Sequence, residues 1–180
     1  MEYPRVTAIL SNVGISDFTK VHAQLLEDAG HFGTAFHSAR HMLDMETLDE
    51  ATLSEPLIPY VSGYKQFRKD FNIIVLPDES ERQFISKKWG FKGTPDIWPV
   101  IQGNRTLIDT KTSAQMYPAT AIQIAAYQIL LEENGIKVHQ RWGLQLNEKG
   151  TYKIIPYTNV ADRTVFLSAV TLYNWKKENL

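Results

Sequence analysis

Three residues in the middle of the chain have the types and spacing for metal-assisted hydrolysis. Asp109 and Lys111 stand two apart in Leu107-Ile108-Asp109-Thr110-Lys111-Thr112, so on a β-strand both side chains point to one face. An acid and a lysine on an otherwise apolar strand are expensive to bury without partners. A second acid, Asp96, lies in Phe91-Lys92-Gly93-Thr94-Pro95-Asp96-Ile97-Trp98, just before it. Were Asp96 to lie opposite on a neighbouring strand, two carboxylates and one ammonium would converge on a small volume. Hard divalent cations such as Mg²⁺ take oxygen ligands of this kind and keep waters beside them. A lysine there can orient or deprotonate a metal-bound water, or stabilise charge developing on a phosphate. The tripeptide alone also fits a strand-surface ion pair, with Asp96 merely ending a turn.

Four elements in order narrow this choice. Pro95-Asp96 and Asp109-Thr110-Lys111 stand as the "PD" and the "(D/E)XK" of a known pattern, with 12 residues between the two aspartates. Gly93-Thr94-Pro95-Asp96 is similar to a "G-x-x-D" strand and Asp109-Thr110-Lys111-Thr112 to a "D-x-K-T" element. Upstream, Gly33-Thr34-Ala35-Phe36-His37 is similar to a "G-x-x-x-H" motif; downstream, Gln123-Ile124-Ala125-Ala126-Tyr127 matches "Q-x-x-x-Y". Together they resemble the PD-(D/E)XK nuclease superfamily, and within it the RecB-type branch that includes phage exonucleases. The resemblance runs from about Gly33 to Leu131.

It implies a restriction-endonuclease-like α/β three-layer sandwich and metal-dependent cleavage of DNA phosphodiesters. Residue by residue, Asp96, Asp109 and the Thr110 carbonyl would hold one or two Mg²⁺ or Mn²⁺ ions, with His37 a further ligand and Lys111 the catalytic lysine. Glu81 stands where many relatives keep a glutamate, with Glu79 close enough to compete. Gln123 and Tyr127, four apart on one helical face, would support the site, and Lys88 and Lys92 would contact DNA. With no cysteine in the chain, the iron–sulfur cluster of some branch members is excluded. Expected partners are DNA, with linear ends favoured, a recombination partner such as a single-strand annealing protein, and further copies of the chain. A structure-specific endonuclease and a non-catalytic nucleic-acid binder on the same fold are the alternatives.

The elements that must position these groups follow from periodicity. Asp17 to about Asp44 reads as a helix with Phe18, Val21, Leu25, Ala29, Phe32, Phe36 and Met42 on its stripe, capped by Ser16 or Asp17 and weakened or split at Gly30 and Gly33. Tyr60 to Phe71 is a shorter helix. A β-type run covers 71–76, and strands are expected at 82–88, 91–101 and 105–112, joined as an antiparallel meander. A strong helix spans Ala119 to Asn134. Strands at 141–146 and 152–157 flank the turn Asn147-Glu148-Lys149-Gly150, and Asp162 caps a helix over 163–177. Trp142 and Trp175 are expected to pack on the sheet. The whole chain reads as one domain: a helical part (1–71), a catalytic core (72–160) and a C-terminal helix (161–180).

Composition sets the remaining bounds. The 180 residues suit one domain, and a net charge of -1 excludes a uniformly basic coat. Positive charge is local instead: Lys65, Arg68, Lys69, Arg82, Lys87, Lys88 and Lys92 fall between Val61 and Lys92, with Tyr64, Phe67 and Trp89 interleaved. Phosphates need only such local charge, and aromatics stack on unpaired bases; a solubilising surface is the plainer reading. The acidic stretch from Asp44 to Glu55 reads as solvated surface. His37 and His41 have a zinc-capable spacing, but Ser38 replaces the glutamate of a His-Glu-x-x-His helix. His22, His31, His41 and His139 read as surface or packing residues. No leader pattern opens the chain and no window of 18 apolar residues occurs, so the expectation is a cytoplasmic protein of a bacterium or phage-infected cell.

Overall fold

A computed structural model describes residues 3–17 and 22–180. Five helices, α1 (Val6–Asn12), α2 (Ala23–Asp44), α3 (Ile58–Asp70), α4 (Ala119–Glu133) and α5 (Ala161–Asn179), surround six strands. The strands are β1 (Phe84–Ser86), β2 (Phe91–Gly93), β3 (Val100–Ile101), β4 (Asn104–Lys111), β5 (Gln140–Leu146) and β6 (Tyr152–Pro156). β3-β4-β5-β6 form a mixed sheet in that order, with β4 and β5 parallel and the outer pairs antiparallel; β1 and β2 make a separate antiparallel hairpin.

Helix α4 is the crossover that parallel β4 and β5 require. Alternation along β4 divides the interior in two. Leu107 joins Phe91, Ile124, Leu130 and Phe166 in a core beneath α1, α4 and α5. Ile108 joins Phe36, Tyr64, Phe67 and Leu144 in a core beneath α2 and α3. The result is a three-layer α/β sandwich with helices on both faces of a mixed sheet.

Several expectations are corrected. The strand expected over 91–101 breaks after Gly93, so Asp96 sits in a bend rather than inside a strand. Ile97 bridges Ile108 of β4 and also Ser80, and the chain rejoins the sheet as β3. The meander is therefore interrupted, and Pro95 is one reason, since it has no N–H to give a ladder. The run 71–76 forms no strand: Ile73 and Val75 are buried while Ile74 is 72% exposed, an alternation used for packing without pairing. Helix α2 is continuous through Gly30 and Gly33 despite a cost of about 1 kcal/mol each relative to alanine. His22, not Ser16 or Asp17, caps it through Nδ1, accepting from the Gln24 N–H at 3.3 Å; Phe18 and Val21 lie outside the described residues. Asp162 does not cap α5 but lies buried in its first turn, 3.2 Å from Arg141. Trp142 packs on the second core, whereas Trp175 is 54% exposed.

Candidate metal and nuclease site

The C-terminal half of β4 carries Asp109, Thr110 and Lys111 to the meeting point of α2, α4 and the bend after β2. Asp96 is the best-anchored member. Its Oδ2 accepts from the Thr110 backbone N–H at 2.6 Å and from the Thr110 hydroxyl at 2.7 Å. This pins the carboxylate to β4 without a strand of its own. The other oxygen, Oδ1, lies 3.5 Å from His37 Nδ1, which is also 3.3 Å from Glu81 Oε1. His37, Glu81 and Asp96 thus each offer one ligand atom within 4.8 Å of the others.

Asp109 belongs to the adjoining half of the site. It is 1% exposed, and Lys111 Nζ lies 2.7 Å from its Oδ2. Among the described residues nothing donates a hydrogen bond to its buried Oδ1. An orphaned carboxylate oxygen in the interior is costly unless something pairs with it. Lys111 also donates to Gln123 Oε1 at 3.3 Å, and Gln123 Nε2 donates to the Tyr127 hydroxyl at 2.9 Å. The i and i+4 spacing on α4 therefore makes a relay that ends on the lysine.

Gly93 belongs to the same arrangement. A Cβ there would stand 2.8 Å from Tyr127 Cε1, so only glycine lets the ring lie against β2. The two spaced motifs meet at this contact.

The electrostatics match the crowding. Burial, reinforced by the Asp96 charge, outweighs Lys111 and pushes the Asp109 carboxyl up to about 6. Burial works upward on Asp96 too, but His37, Arg40 and Lys111 together hold it below the usual carboxylate range. The Asp96 charge raises His37 against the effect of burial, helped by the Glu81 hydrogen bond. Burial lowers Lys111, yet Asp109 and Asp96 hold it above the ordinary lysine value.

One residue escaped the sequence reading. Arg40, three positions after His37, is fully buried and pairs with Glu81 and, at 2.7 Å, with Asp44 Oδ2. It also reaches the Asp96 carbonyl at 3.4 Å. An arginine on the apolar side of a helix was the signal available. Arg40 decides between the two glutamates: Glu81 faces the cluster, while Glu79 turns to Arg105. Glu81 adopts a φ of 49°, a left-handed conformation of about 1 kcal/mol or more for a non-glycine residue.

The remaining candidates lie elsewhere. His41 Nδ1 contacts Ser80 Oγ at 3.0 Å and is not brought to His37, so no zinc pair forms between them. Lys88 sits over the Trp89 ring at the closed end of the β1–β2 hairpin, away from the end where Gly93 leads to Asp96. Lys92 is the residue before Gly93, its N–H donating to the Pro4 carbonyl. His139 Nδ1 accepts from the Arg105 N–H, and His31 is exposed.

The donor set fits a hard divalent cation. Carboxylate oxygens dominate, one is buried without a donor, and a single imidazole, His37, joins them. Asp96, Asp109, His37 and Glu81 are the side chains that could hold the ion, with the Thr110 carbonyl next to Asp109 in the sequence.

Comparison with known proteins agrees at the level of fold. No family model and no curated protein sequence matches the chain. Among solved structures, one neighbour is a protein of Eubacterium rectale provisionally named an exonuclease. It shares 13% identity at a TM-score of 0.56, over 81% of this chain and 65% of that one. The chain thus spans just under two thirds of that protein's length. A second is an alkaline exonuclease from Laribacter hongkongensis, with 10% identity and a TM-score of 0.49 over 81% of this chain and 79% of that one. The chain shares its fold with the Eubacterium rectale protein. Among the described residues, no helix is long and apolar enough to cross a membrane.

Proposed function

We propose that the protein is a divalent-metal-dependent nuclease that hydrolyses DNA phosphodiester bonds, acting from ends in bacterial or phage DNA recombination or repair. The observation that carries this reading is the pairing of a buried, partly unsatisfied Asp109 with Lys111, beside an Asp96 pinned to the same strand by Thr110. The exonuclease name of the Eubacterium rectale neighbour supports the preference for ends.

Asp96, Asp109, His37 and Glu81 would hold Mg²⁺ or Mn²⁺, which when bound polarises a phosphate oxygen and makes water a better nucleophile. The chain's own groups do the rest. Thr110 fixes the Asp96 carboxylate, so one of its oxygens stays directed at His37. Asp109 and Gln123 hold the Lys111 ammonium from two sides, where it can donate to an oxygen of the scissile phosphate as charge develops. Tyr127 keeps Gln123 oriented and packs on Gly93. Arg40 holds Glu81 in its left-handed backbone position and offsets the crowded carboxylates.

The test is digestion of linear and closed-circular DNA, single- and double-stranded, with Mg²⁺, Mn²⁺ or EDTA, beside Lys111→Ala. Metal-dependent loss of linear DNA only, absent in the variant, is the expected result. Nicked or cut circles would reassign the protein to endonucleases. DNA binding with no cleavage in any metal would make it a non-catalytic binder on a nuclease fold.

A further inference from the structure

A cleft of about 560 Å³ opens onto the candidate site from the side of α1, α2 and the start of α4, within the size range of small-ligand clefts. Its floor holds His37, Lys111 and Gln123. Its walls are unlike those of a groove that clamps a duplex backbone. Lys111 and His37 are the groups of cationic character that line it, and among the described residues none of its lining is acidic. One wall is the face of α2 formed by Leu26, Gly30, Gly33 and His37, successive turns of one helix. Leu26 is 41% exposed and its neighbour Leu25, also in the lining, 64%. Across the cleft, Tyr117 adds an aromatic ring, while Thr7, Ser11, Ser113 and Thr120 add hydroxyl-bearing residues.

The two glycines are the informative part. Each lowers helix propensity relative to alanine, yet neither is needed for packing: a Cβ at either position would meet nothing within 4 Å. This contrasts with Gly93, where the Tyr127 ring demands glycine. At Gly30 and Gly33 the vacant volume faces the cleft, so bare backbone lines a path that runs along α2 to His37.

We propose that this cleft takes an unpaired, single-stranded stretch of nucleic acid and delivers its end to the candidate site. Bases lie along the apolar α2 wall and against Tyr117, and the sugar–phosphate strand faces neutral hydroxyls and then Lys111. Stacking on apolar and aromatic surface is how unpaired strands are held with little charge; a duplex backbone calls for many cations, and among the described residues the lining offers Lys111 and His37 alone. The inference rests on the nuclease reading for the identity of the floor, and it specifies the substrate class as single-stranded ends.

The test uses the full chain in EDTA, so that binding is read without cleavage. Fluorescence anisotropy compares a short labelled oligothymidylate with a blunt duplex of the same length, for the parent, Gly33→Leu and Leu26→Asp. The parent is expected to hold the single strand about tenfold or more tighter than the duplex. Gly33→Leu fills the path and Leu26→Asp puts an acid into an acid-free wall, so each is expected to weaken single-strand binding about tenfold or more. The melting temperature of Gly33→Leu should stay level or rise, because a good helix former enters open space. Should that variant fold poorly, exposed Leu26→Asp carries the test. Duplex bound as tightly as single strand, or binding unchanged in the variants, overturns the proposal. The two readings fail separately. Metal-dependent cleavage with variant-insensitive binding removes the single-strand cleft and leaves the nuclease. Cleft-dependent binding without cleavage in any metal removes the nuclease and leaves the cleft.

Discussion

Arg40 stands between two clusters of buried charge built from the same residue types and completed differently. On one side, Asp44 receives Arg40 at 2.7 Å, the Tyr64 hydroxyl at 2.8 Å, Ser80 Oγ at 3.2 Å and Arg68 at 3.3 Å. Both of its oxygens are used, and the lid over them is α3. On the other side, Asp109 has one oxygen beside Lys111 and one with no donor among the described residues, and Asp96 turns its second oxygen to His37. The Asp44 carboxylate is saturated by the chain itself, although Arg40 Nε finds no partner among the described residues; the Asp109 carboxylate is left with an oxygen that no described residue donates to. A carboxylate with both oxygens satisfied holds a fold together, whereas one with an orphaned buried oxygen carries a cost and marks a place to look for a ligand.

The strongest way to break this contrast is to mutate the open side. Asp109→Asn or Lys111→Ala should lower metal-dependent DNA cleavage about a thousandfold, with circular dichroism and melting little changed. EDTA should do the same to the parent protein. A large loss of folding instead of activity would show that the open cluster is structural after all.

The closed side predicts the opposite outcome. Asp44→Ala removes the buried one of the two carboxylates paired with the fully buried Arg40 and should cost about 3–5 kcal/mol, read by urea unfolding. The fraction still folded should retain cleavage within a few-fold. Near-parent stability would mean that the Asp44 network is not what seats α2 against α3.

Gly93→Ala sharpens the comparison from within the site. The new methyl meets the Tyr127 ring, an overpacking worth about 1–3 kcal/mol, and it displaces the Gln123 relay. Cleavage should fall more than stability explains, and Tyr127→Phe should restore no more than a part of it. Equal losses in both readouts would make Gly93 a packing residue only.

The smallest effect is expected far from either cluster. The Tyr152 hydroxyl and Gln66 donate to Asp70, and these hydrogen bonds hold its carboxyl below the ordinary range. A depressed carboxyl contributes stability above its unfolded pKa of about 4, and loses it as pH falls through the lower folded value. At the other limb, burial pushes Tyr152 up to about 12, so its contribution is complete below about 10 and fades as pH rises through the folded value. Tyr152→Phe should flatten both limbs of a melting-temperature profile slightly. Because Asp70 is fully exposed, a steep change would be unexpected.

Much of this architecture was legible in the chain. The long periodic helices α4 and α5 and the alternating β4, β5 and β6 fall within a few residues of their expected bounds, and α2 ends at the expected Asp44 but begins at Ala23 rather than Asp17. Helix α1 was missed although Val6, Ile9 and Leu10 are buried on one face; two turns make too short a window for periodicity to stand out. The run at 71–76 was misread because an extended, alternately buried segment has the pattern of a strand whether or not a partner is present. Asp96 was expected inside a strand over 91–101; the chain bends there instead, and its carboxylate turns onto Thr110.

Residue types and their order determined the site's chemistry: an acid, an acid two before a lysine, a histidine upstream and a glutamine and tyrosine downstream. Those are local properties, set by side-chain chemistry and by the two periods of helix and strand. Only tertiary structure decided which acids meet. Nothing local separates Glu79 from Glu81; Arg40 does, by pairing with Glu81 across 40 intervening residues while Arg105 takes Glu79. Likewise, open space at Gly30 and Gly33 and its absence at Gly93 depend on neighbours remote in the chain. The physical reason is that burial and pairing are relations between segments, and a sequence states the groups but not the distances between them.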